Sequence, residues 1–529
     1  MTRSYAAQST HSLGRGTLIA GCLAVCVAQI GLAIPATLNG LFQSDLHPIG
    51  SQLTWISDAF LLPVTVLELT FGVLGDLFGR KRLLVGGAGL IAVGELVASL
   101  AGGVHQLWVG QALAGLGAAA LFPTSLAMIA AGTHTTRDRA RGIAIWAAAL
   151  STGGFIAPVI GGITGNYGSW RWAFVVVLVI AAVSAIVSLL IARNSSAPAG
   201  RSLDWGGQVT ILVGLFALLY AVIQGQSEGW GAPSVIVAFV VAAVFIALFV
   251  VAERRAAAPM LRLDLFRNRA FTVASIIAVV GMFSFLGTAY ATSIRLGPIQ
   301  HQSPLRTSVA FILLNGITLV LEPVTSRLLE RVNPRWLLSV GLLLMAAGDF
   351  IAASIDVHNQ ALSALILPLA LVGIGFALTV SSITATAVNT VPNHFAGMAS
   401  ASTSLLRDFG FTLGPAIIGA VALSRAASVF SGNLATSSLS DQVKGAAAAV
   451  AQEGGPLAVN SVPPSSPPGG AASIAVDALG NGYAIGYIVC GAAAFVSCLL
   501  AVLALRGSRT DTLVTEASLA EDPEAAPAG

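Results

Sequence analysis

Charge is scarce in this chain. Asp, Glu, Lys and Arg make up 9% of its 529 residues, against roughly 25% in soluble proteins, which excludes a water-exposed surface for most of its length. Lysine occurs only at Lys81 and Lys444. Neither is followed by Ser or Thr, so the Gly-Lys-Ser/Thr of a P-loop is missing, and an ATPase of that kind with it. The cysteines are Cys22, Cys26, Cys490 and Cys498, all inside apolar runs. They have neither metal-ligand spacing nor an extramembrane framework, and read as small apolar packers. No metal, cofactor or nucleic-acid partner is expected.

Apolar sequence is what the chain has in plenty: 56% of it is hydrophobic. Crossing a hydrocarbon core of about 30 Å takes roughly 20 apolar residues. Fourteen such runs are read as membrane spans 1 to 14: 17–41, 51–74, 83–103, 107–131, 141–164, 170–192, 206–224, 233–252, 270–294, 306–325, 336–354, 361–383, 396–423 and 479–505. The first is longer than a signal-peptide core and is read as a retained helix. Apart from Arg295 and Arg407 inside spans, and Arg171, Arg306, Arg425 and Lys444 on the far side, every Lys and Arg falls on one side of the membrane. The positive-inside rule makes that side, and both termini, cytoplasmic. Residues 425–478, rich in Ala, Ser, Gly and Pro, are expected to form a flexible outer loop, and 506–529 a disordered cytoplasmic tail.

The ends of spans 2 and 10 match in register. GVLGDLFGRKR and SRLLERVNPRW place Asp76 against Glu330 and Lys81 against Arg335, and Glu68 then falls on Glu322. GGFIAPVIGG (153–162, span 5) and GFTLGPAIIG (410–419, span 13) each hold a mid-span proline flanked by small residues. These internal repeats predict a six-helix half at 17–192, two inserted helices at 206–252, and a second six-helix half at 270–505, behind a cytoplasmic N-terminus at 1–16.

At these residues the chain resembles the major facilitator superfamily, specifically its fourteen-helix drug:proton antiporters of the EmrB/QacA type. GVLGDLFGRKR is similar to the superfamily's gate loop between helices 2 and 3, with Gly72, Asp76, Gly79, Arg80, Lys81 and Arg82. GGFIAPVIGG resembles the antiporter signature of helix 5, with Gly153, Pro158, Gly161 and Gly162, and with Ala157 where glycine is usual. WRWAF (170–174), ERRAAAPMLRLDLFRNRAF (253–271) and the stretch from Val391 to Gly419 also resemble this family. The chain departs from it at Gln111, where an arginine implicated in proton coupling is usual. It departs again at Gly31 in place of asparagine, with no acid in span 1, and at Arg295 and Gly297 in place of tyrosine and glutamine. The resemblance implies a bundle of helices without enzymatic activity, a proton gradient as the drive, and a monomer in the bilayer carrying a small lipophilic substrate.

A proton-driven carrier needs a group that gains and loses charge while facing each side in turn. An acid in hydrocarbon suits the task because withdrawal from water favours its neutral form. Such acids are Asp58, Glu68, Glu95, Glu322, Asp349 and Asp408. Asp58 is expected near the outer surface, and Glu95 and Asp349 on supporting helices. Glu68 lies about 12 Å up the helix from Asp76 and about 80° round it, and Arg407 lies at the matching height on span 13. The coupling candidates are therefore Glu68, Glu322, Arg407 and Asp58, with Glu68 expected to pair with Arg407. A substrate path between the halves would be lined by Gln111, Phe122, Phe283, Tyr290, Arg295, Ser382, Thr386 and Asn389. The expected function is proton-driven export of drugs or antibiotics. Alternatives are a carrier of a non-drug metabolite and a non-transporting sensor or subunit.

Overall fold

A computed structural model describes residues 15–505 except 50, 134–135, 198–202, 257–258, 260, 262, 330 and 390–395. The expected terminal segments 1–14 and 506–529, and Glu330, lie outside the described residues. Among the described residues all regular structure is helical, as hydrocarbon demands of chains that must satisfy their backbone groups internally. The fourteen spans run Arg15–Ala33, Gln52–Phe78, Arg80–Ser99, Val104–Ala131, Thr136–Tyr167, Trp170–Ile191, Trp205–Glu228, Pro233–Arg255, Arg269–Ile294, Pro304–Leu329, Pro334–Ser354, Leu362–Asn389, Ala396–Thr436 and Ala472–Ala504. Side-chain oxygens mark several starts. Ser169 accepts from Arg171 N–H, Asp204 from Gly207 N–H, Asn268 from Ala270 and Phe271 N–H, and Asn333 from Arg335 N–H. Each satisfies a donor that the first helical turn leaves unpaired.

Spans 1 to 6 pack on one another, and so do 9 to 14, giving two bundles. Span 2 against span 13 and span 5 against span 10 form the long seams between them. Spans 7 and 8 pair with each other, and span 7 leans on spans 2 and 13. The internal repeat extends further than spans 2, 5, 10 and 13. AVGELVA (92–98, span 3) and AAGDFIA (346–352, span 11) share the 254-residue offset of Glu68 and Glu322, and their packing matches too. A Cβ on Gly94 would meet the backbone of span 4 at Ala114 and Gly110, and one on Gly348 the carbonyl of Pro368 on span 12.

Residues 425–478 do not form the expected flexible loop. Span 13 has 41 residues, which at about 1.5 Å per residue is about 60 Å, twice the hydrocarbon thickness, so its end projects beyond the bilayer. A further helical stretch, Asp441–Ser461, broken by a kink at Gly455 (φ +70°), folds back beside it. Phe430, Leu434, Ala447, Val459, Ala471, Ala475 and Ala478 bury a core of their own. The alanines that make this stretch look bland also favour helix. This cap bonds to both bundles: Asn460 Nδ2 donates to the carbonyls of Pro298 (3.0 Å) and Ile299 (3.2 Å), and Gln43 Nε2 to Ser461 Oγ (3.0 Å). The end it covers is called the cap end; the opposite end carries Arg80, Lys81 and Arg82 and is called the basic end.

At the cap end the bundles meet at the backbone. A Cβ on Gly40, in the short helix Asn39–Leu46, would lie 2.9 Å from Gly297 Cα, and one on Gly297 2.7 Å from Gly40 N. Asn39 Nδ2 donates to Ser293 Oγ (2.8 Å), and Thr54 Oγ1 lies 2.7 Å from the Tyr290 hydroxyl. The molecule is closed on this side.

Candidate functional site

The seam between spans 2 and 13 carries charge at mid-height. The two helices run in opposite directions, with Thr65 Oγ1 2.6 Å from Thr412 Oγ1 and 3.1 Å from the Asp408 carbonyl that accepts its hydrogen bond. One turn towards the basic end, Glu68 replaces Thr65 and Asp408 replaces Thr412, and there the two carboxyl groups are in hydrogen-bond contact. Two carboxyls so placed repel each other as anions, and a proton between them would relieve that repulsion. Arg407 stands beside the pair, its Nε 3.7 Å from Asp408 Oδ1 and its charge felt by Glu68.

The expected direct pairing of Glu68 with Arg407 is therefore corrected: Asp408 is the group that meets Glu68. Neighbouring residues on a helix point about 100° apart. The register set by Thr65 and Thr412 turns Asp408 towards span 2 and Arg407 to the flank. Asp408 was visible as an intramembrane acid, and its i,i+4 spacing from Thr412 was the signal available for it.

Glu322 occupies the equivalent place on the other seam. It is half-buried on span 10 and takes a hydrogen bond from Ser151 on span 5. Ser151 precedes Pro158 by the same seven positions that separate Asp408 from Pro415. The two seams thus carry matched contacts, an acid with an acid on one and an acid with a hydroxyl on the other.

Asp58, expected near the outer surface, lies one turn below Thr54 at the cap end and is fully buried with neither carboxylate oxygen hydrogen-bonded, close enough to Tyr290 to act on its hydroxyl. Glu95 is also fully buried, and a Cβ on Gly31 would lie 3.1 Å from its Oε1. The bare glycine on span 1 makes room for this acid on span 3. Asp349, its repeat partner, accepts hydrogen bonds from Thr288 (2.6 Å) and Ser284 (3.3 Å) of span 9.

The gate loop is strapped by the segment that follows span 6. Arg80 clasps Asp76 at 2.7 Å and its N–H donates to Ser195 O (2.9 Å). Ala197 N–H donates to Asp76 O (3.0 Å), and Lys81 N–H to Asn194 Oδ1 (3.2 Å). Gly79 turns the chain at φ +101°, where L side chains are strained. Gly72 packs towards Pro123, and Arg82 is exposed. Sequence reading missed Asn194 and Ser195, which lie in a connector with no helical or apolar pattern. At the start of span 13, where the resemblance places the partner of Asp76, the side chains of 396–398, 400 and 401 lie outside the described residues.

In span 5, Gly153 faces the Cys26 carbonyl of span 1, while Gly161 faces Thr37 and Gly162 faces Ser308 of span 10. Pro158 is buried between them. This helix is wedged against both bundles, and its small residues permit that approach.

The path residues divide. Phe122 is half-buried, and Phe283, Ser382 and Thr386 are buried on their helices, Thr386 bonding back to Ser382 O. Gln111 is fully buried, with both amide atoms unbonded. Tyr290 serves as a bond across the seam to Thr54 rather than as an open wall. Arg295 is turned away from the path. It donates to the carbonyls of Ala352 (3.4 Å) and Asp356 (2.7 Å) at the end of span 11, where a cation complements the negative end of the helix dipole. The side chain of Asn389 lies outside the described residues.

Comparison with known proteins places this geometry. Residues 21–415 match the sequence profile of the Major Facilitator Superfamily. A "Multidrug resistance protein Stp" of Mycobacterium tuberculosis (strain CDC 1551 / Oshkosh) is 32% identical over 70% of this chain and 68% of its own length. The "Tetracenomycin C resistance and export protein" of Streptomyces glaucescens is 28% identical over 92% and 90% respectively. Among solved structures, a bacterial homologue of the lysosomal transporter Spinster aligns with a TM-score of 0.64 at 14% identity, covering 92% of this chain and 97% of that one. The chain is a multi-pass membrane transporter with fourteen spans and belongs to the Major Facilitator Superfamily.

Proposed function

We propose that this transporter exports drugs, antibiotics or similar amphipathic compounds across the cytoplasmic membrane in exchange for protons, working as a monomer with its basic end and both termini in the cytoplasm. The observation that carries the reading is the contact of Glu68 with Asp408 on a seam between the bundles. When the bundles rock open at the cap end and the seam parts, the two carboxyls separate; Asp408 keeps Arg407 as its neighbour, and Glu68 takes up a proton from the outer side. On return to the state closed at the cap end, the charge of Arg407 beside the pair favours release of that proton towards the basic end.

Proton uptake is thereby tied to the same motion that moves the substrate path from one face to the other. The resistance and export functions named for the relatives support the direction and the substrate class. The concentration of basic residues at one end supports the orientation.

The test is drug efflux from proteoliposomes with an imposed pH gradient, paired with drug susceptibility of a pump-deficient host. Wild-type protein is expected to exchange drug for protons and to protect the host, and Glu68→Gln to do neither while still binding drug. Gradient-driven efflux that survives Glu68→Gln would overturn the reading.

A further inference from the structure

We propose that a side groove at the cap end, walled by spans 2, 4 and 7, is a second binding site, and that it takes lipophilic cations. A cavity of about 620 Å³ lies there, within the range of roughly 300–1,000 Å³ typical of small-molecule sites. Its walls are Trp55 of span 2, Trp108 of span 4, and Phe216 and Tyr220 of span 7. The Trp55 ring centroid is 6.2 Å from those of both Trp108 and Phe216. Phe216 is 50% exposed, so the groove opens sideways towards lipid. It is separate from the seams between the bundles, and span 7, one of the two inserted helices, supplies a whole wall.

The chemistry of the lining selects the occupant. Its polar groups are largely engaged within the protein. Trp108 Nε1 donates to Gln52 O (3.1 Å), Gln52 Oε1 accepts from Ile49 N–H (2.9 Å), and Ser51 Oγ donates to Gln224 Oε1 (2.6 Å). Gln224 Nε2 in turn donates to Glu228 (3.0 Å). What remains for a ligand is a set of aromatic faces, the Tyr220 hydroxyl, the His105 ring set edge-on against Trp108 at 4.8 Å, and one carboxylate, Glu453, which the cap brings to the rim.

No lysine or arginine is among the described lining residues, and Glu228 adds a second negative charge close by. Aromatic faces attract a cation through their quadrupole, and more so where water is excluded. An anion would find no permanent counter-charge among the described lining residues, where His105 is the basic side chain. A neutral amphipath would gain the apolar contacts but nothing from Glu453.

This inference goes beyond the proposed antiport, since binding in the groove needs neither a proton nor movement of the bundles. The full-length protein in phosphatidylcholine nanodiscs is titrated with a bromine-tailed dodecyltrimethylammonium, and then with uncharged bromododecanol, while tryptophan fluorescence is recorded. The expected result is saturable quenching by the cation that disappears in the Trp55→Phe/Trp108→Phe double variant. Glu453→Gln should weaken it about tenfold, the effect of about 1.4 kcal/mol, and Glu453→Asp should restore most of the affinity. Glu453 is exposed, so these two substitutions leave folding intact. Glu68→Gln should leave the quenching unchanged even though it stops transport. Two results would overturn the proposal: equal affinity in Glu453→Gln, or equally saturable quenching of the same tryptophans by bromododecanol, which would mark the groove as a seat for neutral lipid.

Discussion

Thr65 and Thr412 fix the register of the seam between spans 2 and 13, and one turn below them Glu68 meets Asp408. Because the two acids act through one shared proton, their substitutions should not add. Glu68→Gln and Asp408→Asn are each expected to abolish proton-coupled efflux, and the double variant to be no worse than either single one. Coupled residues deviate from additivity in this way. Vesicle flux assays on the three variants check it, and a stepwise loss would assign the two acids independent roles.

The other seam offers a gain rather than a loss. Ser151→Asp would place a carboxyl against Glu322 and give the two seams the same chemistry. The variant is expected to move more protons per substrate, read as a shift in the pH gradient that just balances a fixed substrate gradient. An unchanged balance point would show that only the seam between spans 2 and 13 is linked to transport.

Gly79 turns the gate loop at a positive φ, and a Cβ there would lie 2.8 Å from the Asn194 side chain. Gly79→Ala is expected to cost about 1–3 kcal/mol, the usual cost of holding a residue in a sparsely populated backbone conformation. It should appear as a lowered Tm of the detergent-solubilised protein. Adding Asn194→Ala should recover only the part due to crowding, because the backbone strain remains.

Asp45, outside the spans, accepts hydrogen bonds from Trp170 Nε1 (2.8 Å) and Arg171 (2.7 Å), which hold its carboxyl below the usual range. A carboxyl lowered by folding stabilises the fold above its unfolded value, about 3.9, and loses that contribution as pH falls through its folded value. Asp45→Asn should therefore unfold at a slightly lower temperature than wild type at pH 7. The difference should shrink below about pH 4, and it should be small because the pair is solvent-screened. Thermal unfolding across pH checks both the sign and the window.

Spans, their order and much of the repeat were legible because a bilayer imposes one strong rule, length of apolar sequence. The side on which a given charge falls was not. Arg407 and Asp408 are adjacent letters, and which of them meets Glu68 depends on a helix rotation that only the packing of Thr65 on Thr412 settles. Arg295 likewise reads as a path residue by its position in span 9, yet its reach is long enough to seek the carbonyls at the end of span 11. Residues 425–478 were misread because Ala, Gly and Pro dominate both linkers and short, tightly packed helices. The cap's order comes from contacts between its two arms, far apart in sequence. The AVGELVA and AAGDFIA repeat was open to view; its acids drew attention as separate anomalies rather than as a pair.

Gly40 and Gly297 let the bundles touch through bare backbone at the cap end. Surfaces that interlock through large side chains must drag those side chains past one another when they separate, and leave pockets behind. Two glycines separate cleanly: little dispersion energy is forfeited, and water can rehydrate the freed peptide edges at once. The seam should thus behave as a low-friction joint, in which the barrier to opening comes from the few hydrogen bonds around it, from Asn39, Thr54 and Gln43. Its kinetics can then be tuned one bond at a time without disturbing either bundle.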